Sequence, residues 1–336
     1  MKKLVLCFDR TRRYPRPETT NAARLFHMLD TADGQFDWYH PGVRMPDRRG
    51  RWSTLRWRES AADDARAAIA EAYEFLVDRW EPGDRIFIFG GGRGGYCAQT
   101  LTRLLATVGV LPDLRDYVLA AYSMPRTNRT RQDWDRVTHV ASQLAEQRQI
   151  SVPVWFLGLW DAVKIPGVTR RTMPDPMPNV VTGRHAVAID ALHGERLVAS
   201  ASDRIEEVWF RGAHCDVAGG PGACRPLADI TFDWMLDGAV RAGLAVSWAC
   251  RRIAPAPSEL EALTETAHTV SMRKLPDSAA LHASVDMYLR EHPTYWRRLP
   301  AQVVWSDTEW SARSERLIPA KSTPARVAEK TKAAAS

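Results

Sequence analysis

The residues best placed to do chemistry are a run of glycines. Gly90-Gly-Gly-Arg-Gly-Gly95 follows the apolar stretch Ile86-Phe-Ile-Phe89, and Leu101, Leu104, Leu105 and Val108 come next at helical spacing, with Gly109 placed to end the helix. A buried strand therefore turns sharply into a helix through five glycines. Three chemistries use such a turn. A phosphate-cradling loop needs Lys-Ser/Thr after its last glycine, and here Tyr96 and Cys97 stand there. Gly90, Gly92 and Gly95 satisfy the dinucleotide pattern G-x-G-x-x-G, but no clear second strand ending in an acidic residue follows at the required distance. The third is the nucleophile elbow, G-x-S-x-G. Gly90 and Gly94 are then the flanking glycines, and Gly92 stands where the serine belongs.

The neighbouring residues favour the elbow. Phe89-Gly-Gly-Gly-Arg-Gly-Gly-Tyr96 resembles the F-G-F-S-R-G-A-Y elbow of the α/β-hydrolase family that includes the catalytic domains of type VI secretion phospholipase effectors; Arg93, Gly94 and Tyr96 match and the nucleophile does not. The resemblance recurs in order at Cys7-Phe-Asp-Arg-Thr11, Thr20-Asn21, Tyr39-His-Pro-Gly-Val43, Glu71-Ala-Tyr-Glu-Phe-Leu76, Phe156-Leu-Gly-Leu-Trp-Asp-Ala-Val163, Arg184-His-Ala-Val-Ala-Ile-Asp190, Val208-Trp-Phe-Arg-Gly-Ala-His-Cys-Asp-Val-Ala-Gly-Gly220 and Leu227-Ala-Asp-Ile230. It implies a three-layer α/β-hydrolase fold, with a mostly parallel central sheet, helices on both faces and lid-like insertions. It also implies an ancestral serine esterase acting on a lipid-like substrate. Positions 92, 161 and 214 keep the family order of nucleophile, acid and histidine, so the resemblance assigns Asp161 to orienting the imidazole and His214 to general base. The backbone N–H of Arg93 is the expected oxyanion donor. Asp9, Arg10 and Thr11 fall in the loop after the first strand, where the family has F-D-G-T, so Arg10 replaces a glycine beside the second expected donor.

Glycine cannot form an acyl-enzyme, because the covalent route needs Ser, Cys or Asp at the elbow. Cys97 lies more than a helical turn further on and is no substitute. The expectation is a degenerate hydrolase that acts by binding a lipid-like or ester small molecule. One alternative is a hydrolase in which His214 and Asp161 activate a water in the space left at Gly92. A metal set drawn from Asp9, Asp161, His185, His214 and Asp216 has no supporting ligand spacing, and Cys215 and Cys224 beside His214 make a weaker zinc case still. No metal and no cofactor are expected.

The remaining composition narrows the class. The net charge is +6, with arginines spread along the chain instead of forming one stripe. Arg44, Arg48, Arg49, Arg51, Arg56 and Arg58, interleaved with Trp52 and Trp57, offer a second alternative, a nucleic-acid contact at 44–58. A loop over the pocket is the reading preferred for this stretch, and a nucleic-acid partner is not expected. A protein partner cannot be read from the sequence. Five cysteines without a C-x-x-C pair point to a reducing compartment. No stretch approaches the roughly twenty apolar residues of a transmembrane helix, so a cytoplasmic protein is expected.

The elements that must position these residues can be placed by pattern. Strands are expected at 4–8, 36–39, 86–89, 151–159, 186–189 and 208–210, and helices from Ala22, over 61–80, after the elbow, over 111–121, 134–149 and 229–240. Residues 126–136 read as a basic polar loop and 164–183, with four prolines, as a lid-like excursion. One hydrolase-like domain is expected over 1–311, and 312–336, rich in Ala, Arg, Lys and Ser, as a disordered tail.

Overall fold

The computed structural model describes residues 1–10, 20–32, 34–43, 53–112, 130–144, 150–165, 177–191, 203–247, 257–268 and 273–313. Within them the chain forms strands β1 (Lys3–Phe8), β2 (Gln35–His40), β3 (Arg85–Gly91), β4 (Val154–Trp160), β5 (Val180–Ala188), β6 (Ile205–Phe210), β7 (Ala280–His282) and β8 (Val304–Ser306). The helices are α1 (Asn21–Met28), α2 (Ser53–Arg79), α3 (Arg93–Thr107), α4 (Arg131–Leu144), α5 (His214–Ala218), α6 (Arg225–Arg241), α7 (Glu259–Ala262) and α8 (Ser284–Glu291).

The strands make one sheet in the order β2-β1-β3-β4-β5-β6-β7-β8, every neighbouring pair parallel. A parallel sheet must be covered on both faces, and the strand sequences alternate accordingly. Leu4, Leu6, Ile86 and Ile88 enter one core with the inner faces of α2 and α3. Val5, Cys7, Phe87 and Phe89 enter the other with α1 and α6, where Trp160 and Trp234 are wholly buried. The result is a three-layer α/β-hydrolase-like fold. Strand order reverses at β1, which sits between β2 and β3, and the carboxyl ends at such a reversal are where open α/β sheets form a crevice.

Several boundaries differ from the sequence expectation. Helix α4 begins at Arg131, inside the stretch read as a polar loop, because Thr130 and Asp133 cap it reciprocally: Asp133 Oδ2 accepts from the Thr130 N–H at 2.8 Å and Thr130 Oγ1 from the Asp133 N–H at 3.3 Å. Strand β5 begins at Val180, within the expected excursion, since residues 180–183 are paired to β4 and β6. Helix α2 begins at Ser53 and so takes up the end of the expected basic loop. Arg313, on the tail side of the boundary drawn at 311, is buried and ion-paired to Asp233 at 2.8 Å and to Asp307. Residues 44–52, most of the expected helix 111–121, the 166–176 part of the excursion and 314–336 lie outside the described residues. Among the described residues no helix is long and apolar enough to cross a membrane.

Candidate functional site

The glycine turn sits between β3 and α3, and packing fixes its register. A Cβ at Gly90 would lie 2.6 Å from the Gly94 carbonyl oxygen, and one at Gly94 would lie 2.3 Å from the Asp9 oxygen and 2.4 Å from the Phe8 oxygen. Both contacts are with backbone, so neither position admits a side chain. Gly92, midway between them, has φ 55 and ψ −117, and it caps α3. Its N–H donates to the Trp160 carbonyl at 2.8 Å, and its own carbonyl accepts from Val163 at 2.9 Å. Two backbone bonds thus tie the turn to the end of β4, where Asp161 follows.

Asp161 is fully buried and takes φ 40, a conformation that Asp tolerates better than most residues. Its Oδ2 accepts from His214 Nδ1 at 2.7 Å, and its Oδ1 accepts from the Ala188 N–H at 3.0 Å and from Arg273 Nη1 at 2.6 Å. Burial alone would raise this carboxyl; the hydrogen bond and charge of His214 and the Arg273 guanidinium outweigh it and hold the group far below the usual carboxylate range. His214 opens the short helix α5 after β6 and turns Nε2 toward the elbow. An ideal Cβ at Gly92 would lie 3.0 Å from that nitrogen and 3.1 Å from Arg10 Cβ. The structure therefore brings Gly92, Asp161 and His214 together at one strand edge, with Arg10 against them.

Arg10 crosses this edge. Its Nη1 donates to the Gly219 carbonyl at 2.5 Å, and its backbone N–H donates to Asp9 Oδ1 at 2.6 Å. That N–H, from the loop expected to supply the second oxyanion donor, is thus engaged by a carboxylate. Asp9 is itself nearly buried, and its Oδ2 accepts from Thr20 Oγ1 at 2.7 Å and Tyr39 OH at 2.5 Å. Burial pushes the Asp9 carboxyl up, against the lowering effect of those donors. Arg93 heads α3 directly after Gly92, and Thr11 lies outside the described residues.

The five residues weighed as a metal set do not converge. His185 Nε2 accepts from the Ala162 N–H at 3.2 Å, with Nδ1 3.1 Å from Glu207; Asp9 holds Thr20 and Tyr39, and Asp216 accepts from Ala213 and Cys224 N–H groups. Cys215, Asp216 and His268, in contrast, place ligand atoms within 4.8 Å of one another.

Sequence reasoning missed Arg273, which lies in no motif and reaches Asp161 across 112 positions. The motif residues Thr20, Asn21, Tyr39 and Asp229 were legible only as resemblance. In the fold they are supports: Asn21 bonds the Val217 and Ala228 carbonyls, and Asp229 forms a buried pair with Arg24 at 2.5 Å, locking α1 to α6.

A family model described as the Tle1-like phospholipase effector catalytic domain of type VI secretion systems matches residues 2–238. The chain belongs to this family. The uncharacterized protein YEL023C of Saccharomyces cerevisiae is 31% identical over 223 residues, covering 58% of this chain and 32% of its own length, so the chain spans about a third of that relative. Among solved structures, an uncharacterized protein from Pseudomonas aeruginosa aligns with a TM-score of 0.44 at 16% identity, over 77% of this chain and 49% of its own. The Tle1 effector bound to the VgrG spike of the type VI secretion system aligns with a TM-score of 0.38 at 16% identity, over 68% of this chain and 52% of its own. Residue 273, which supplies the cation on Asp161, lies beyond the matched stretch.

Proposed function

We propose that this Tle1-like domain is a degenerate phospholipase-type hydrolase, without serine-dependent hydrolysis, that acts by binding a lipid-like or ester small molecule at the crevice between β1, β3 and β4. The observation that carries this reading is the space at Gly92. A Cβ there would lie 3.0 Å from His214 Nε2 and 3.1 Å from Arg10 Cβ, tighter than ordinary contact, so a nucleophile would fit only if its own would-be base or Arg10 drew back. Arg10 also engages its own N–H with Asp9, leaving that donor unaimed at a developing oxyanion. A fluorophosphonate, which reacts only with an activated serine, is expected to leave the protein unlabelled. Stoichiometric labelling at a serine of the crevice would show the nucleophile to lie elsewhere.

A second reading has its own observation. The His214–Asp161 pair is held at 2.7 Å, which is the arrangement a general base needs to activate water. Arg273 works against it, because its guanidinium sits 2.6 Å from the same carboxylate and pairs part of the charge that an imidazolium would need. Hydrolysis of a short activated ester by the wild type that disappears in His214→Ala would establish this reading in place of the first.

A further inference from the structure

Cys215, Asp216 and His268 form a cluster that the elbow site does not use. Cys215 Sγ lies 2.9 Å from His268 Nε2 and 3.9 Å from Asp216 Oδ1, and Nε2 is 3.8 Å from the same carboxylate oxygen. The Gly222 carbonyl oxygen completes the group, 2.7 Å from Nε2 and 3.9 Å from Sγ. From these four atoms we propose a structural binding site for a borderline-soft divalent cation, with zinc as the expected occupant.

The first argument is proton arithmetic. A carbonyl and a carboxylate oxygen only accept, and a thiol has one proton of its own to give. The Nε2 proton and the thiol proton can serve at most two of the close approaches among these atoms, with Asp216 Oδ1 already held by the Cys224 N–H. A cation at the centre satisfies all four lone-pair donors together, and the Cys215 thiol gives up its proton to solvent as the metal–sulfur bond forms.

The second argument is preorganisation. Asp216 is fully buried, and its carboxylate is held by three donors outside the cluster: the Ala213 N–H at 2.8 Å, the Cys224 N–H at 2.7 Å and Thr266 Oγ1 at 2.7 Å. Such outer hydrogen bonds orient metal-binding carboxylates. Gly222 has φ 80, a conformation that glycine adopts without strain.

The third argument is chemical fit. One thiolate, one imidazole and two oxygens suit zinc better than the hard cations, which prefer all-oxygen shells. Zinc bond lengths of about 2.0–2.3 Å imply tetrahedral ligand separations of roughly 3.3–3.6 Å. The two short separations, 2.9 and 2.7 Å, both involve His268 Nε2 and the other three, 3.8–3.9 Å, are slightly long, so binding requires the His268 ring, partly exposed at the end of the 257–268 segment, to draw back. The ion would clip that segment to α5, one residue from His214. Sequence spacing gave no sign of it because His268 is 53 positions from Cys215.

The test uses the full chain, stripped with a chelator and titrated with Co2+. One equivalent is expected to bind with a thiolate-to-cobalt charge-transfer band, and one equivalent of Zn2+ is expected to bleach it. Cys215→Ser should abolish the band, His268→Ala should weaken binding at least tenfold, and Cys224→Ser should bind like the wild type. His268→Ala, in the peripheral segment, decides the matter if Cys215→Ser fails to fold. Absence of stoichiometric binding, undiminished binding in His268→Ala, or a band that survives Cys215→Ser overturns the proposal.

Discussion

The molecule holds two Asp–His constellations with nearly the same parts. At the elbow, Asp161 pairs with His214 at 2.7 Å and with Arg273; where β7 and β8 end, Asp307 pairs with His282 at 3.0 Å and with Arg313. Both aspartates have positive φ, 40 and 56. The second set even includes the missing hydroxyl, since Ser284 Oγ is 2.8 Å from His282 Nδ1. Yet His282 is wholly buried, stacked on Phe210 at 4.6 Å and against Trp310 at 5.6 Å, and burial pushes its imidazole down. It joins β7, α8 and the turn before Arg313, and no substrate could reach it. A serine, a histidine and an aspartate in contact are therefore not what makes a hydrolase site. Position and access also matter: His214 keeps part of its side chain open to solvent, is turned by Nδ1 toward its acid and faces the glycine turn at the end of β3.

The stabilities of the two histidine variants test this contrast. His282→Ala should cost about 3 kcal/mol in urea unfolding, because it opens a cavity beside Phe210 and Trp310 and takes the imidazole partner from the buried Ser284 hydroxyl. His214→Ala should cost less than about 1 kcal/mol, since Asp161 keeps Arg273 and the Ala188 N–H. The reverse order would mean that the elbow pair, not the buried one, is the structural clasp.

Next in size is Gly92→Ser. The φ of 55 and the 3.0 Å approach of His214 predict a loss of about 1–3 kcal/mol in stability together with little or no esterase activity. Adding Arg10→Gly should raise hydrolysis of a short activated ester by removing the Cβ that crowds position 92, but by less than the roughly hundredfold of a full oxyanion donor, because the residue-10 N–H stays engaged by Asp9. Equal activity of the single and double variants would show that Arg10 does not obstruct the site.

The acid limb of stability gives a smaller effect. Asp161 and Asp307 are both held below their ordinary range, by their histidine and arginine partners acting against burial. A depressed carboxyl contributes stability that is complete above its unfolded value, about 3.9, and is lost as pH falls toward the folded one. Asp9, raised by burial, acts with the opposite sign and favours the fold when protonated. Stability should therefore decline below about pH 4, and less steeply in Asp161→Asn, as followed by thermal unfolding across pH. An unchanged slope in that variant would mean that His214 and Arg273 together do not hold the Asp161 carboxyl down in solution.

How much of this was legible follows from where each signal resides. The apolar runs Leu4–Phe8, Ile86–Phe89 and Val154–Leu159 announce buried parallel strands because local sequence alone can satisfy that environment. Asp161 and His214 were found through the order of motifs. Arg273 and the Tyr39–Asp9 bond were not, because each is a contact made only when distant segments fold together. The His282 clasp was invisible for the same reason, its partner Asp307 lying 25 positions away on another turn.

The smallest expected effect tests the register on which the whole comparison rests. Gly90 and Gly94 abut backbone at 2.6 and 2.3 Å, Gly95 abuts the Ala162 Cβ at 2.6 Å and Gly92 has positive φ, so four of the five glycines resist a side chain. Gly91 does not. A Cβ there would find Arg10 Cβ at 3.7 Å and Arg10 N at 3.9 Å, ordinary contacts, and its φ is not positive. Gly91→Ala should therefore leave stability unchanged or raise it by up to about 1 kcal/mol, since alanine restricts the unfolded chain more than glycine does. A loss above about 2 kcal/mol in urea unfolding would mean that the turn is displaced by one residue. Gly92 would then not be the residue facing His214, and the contrast between a vacant elbow and a complete but buried trio would have to be drawn again from a different position.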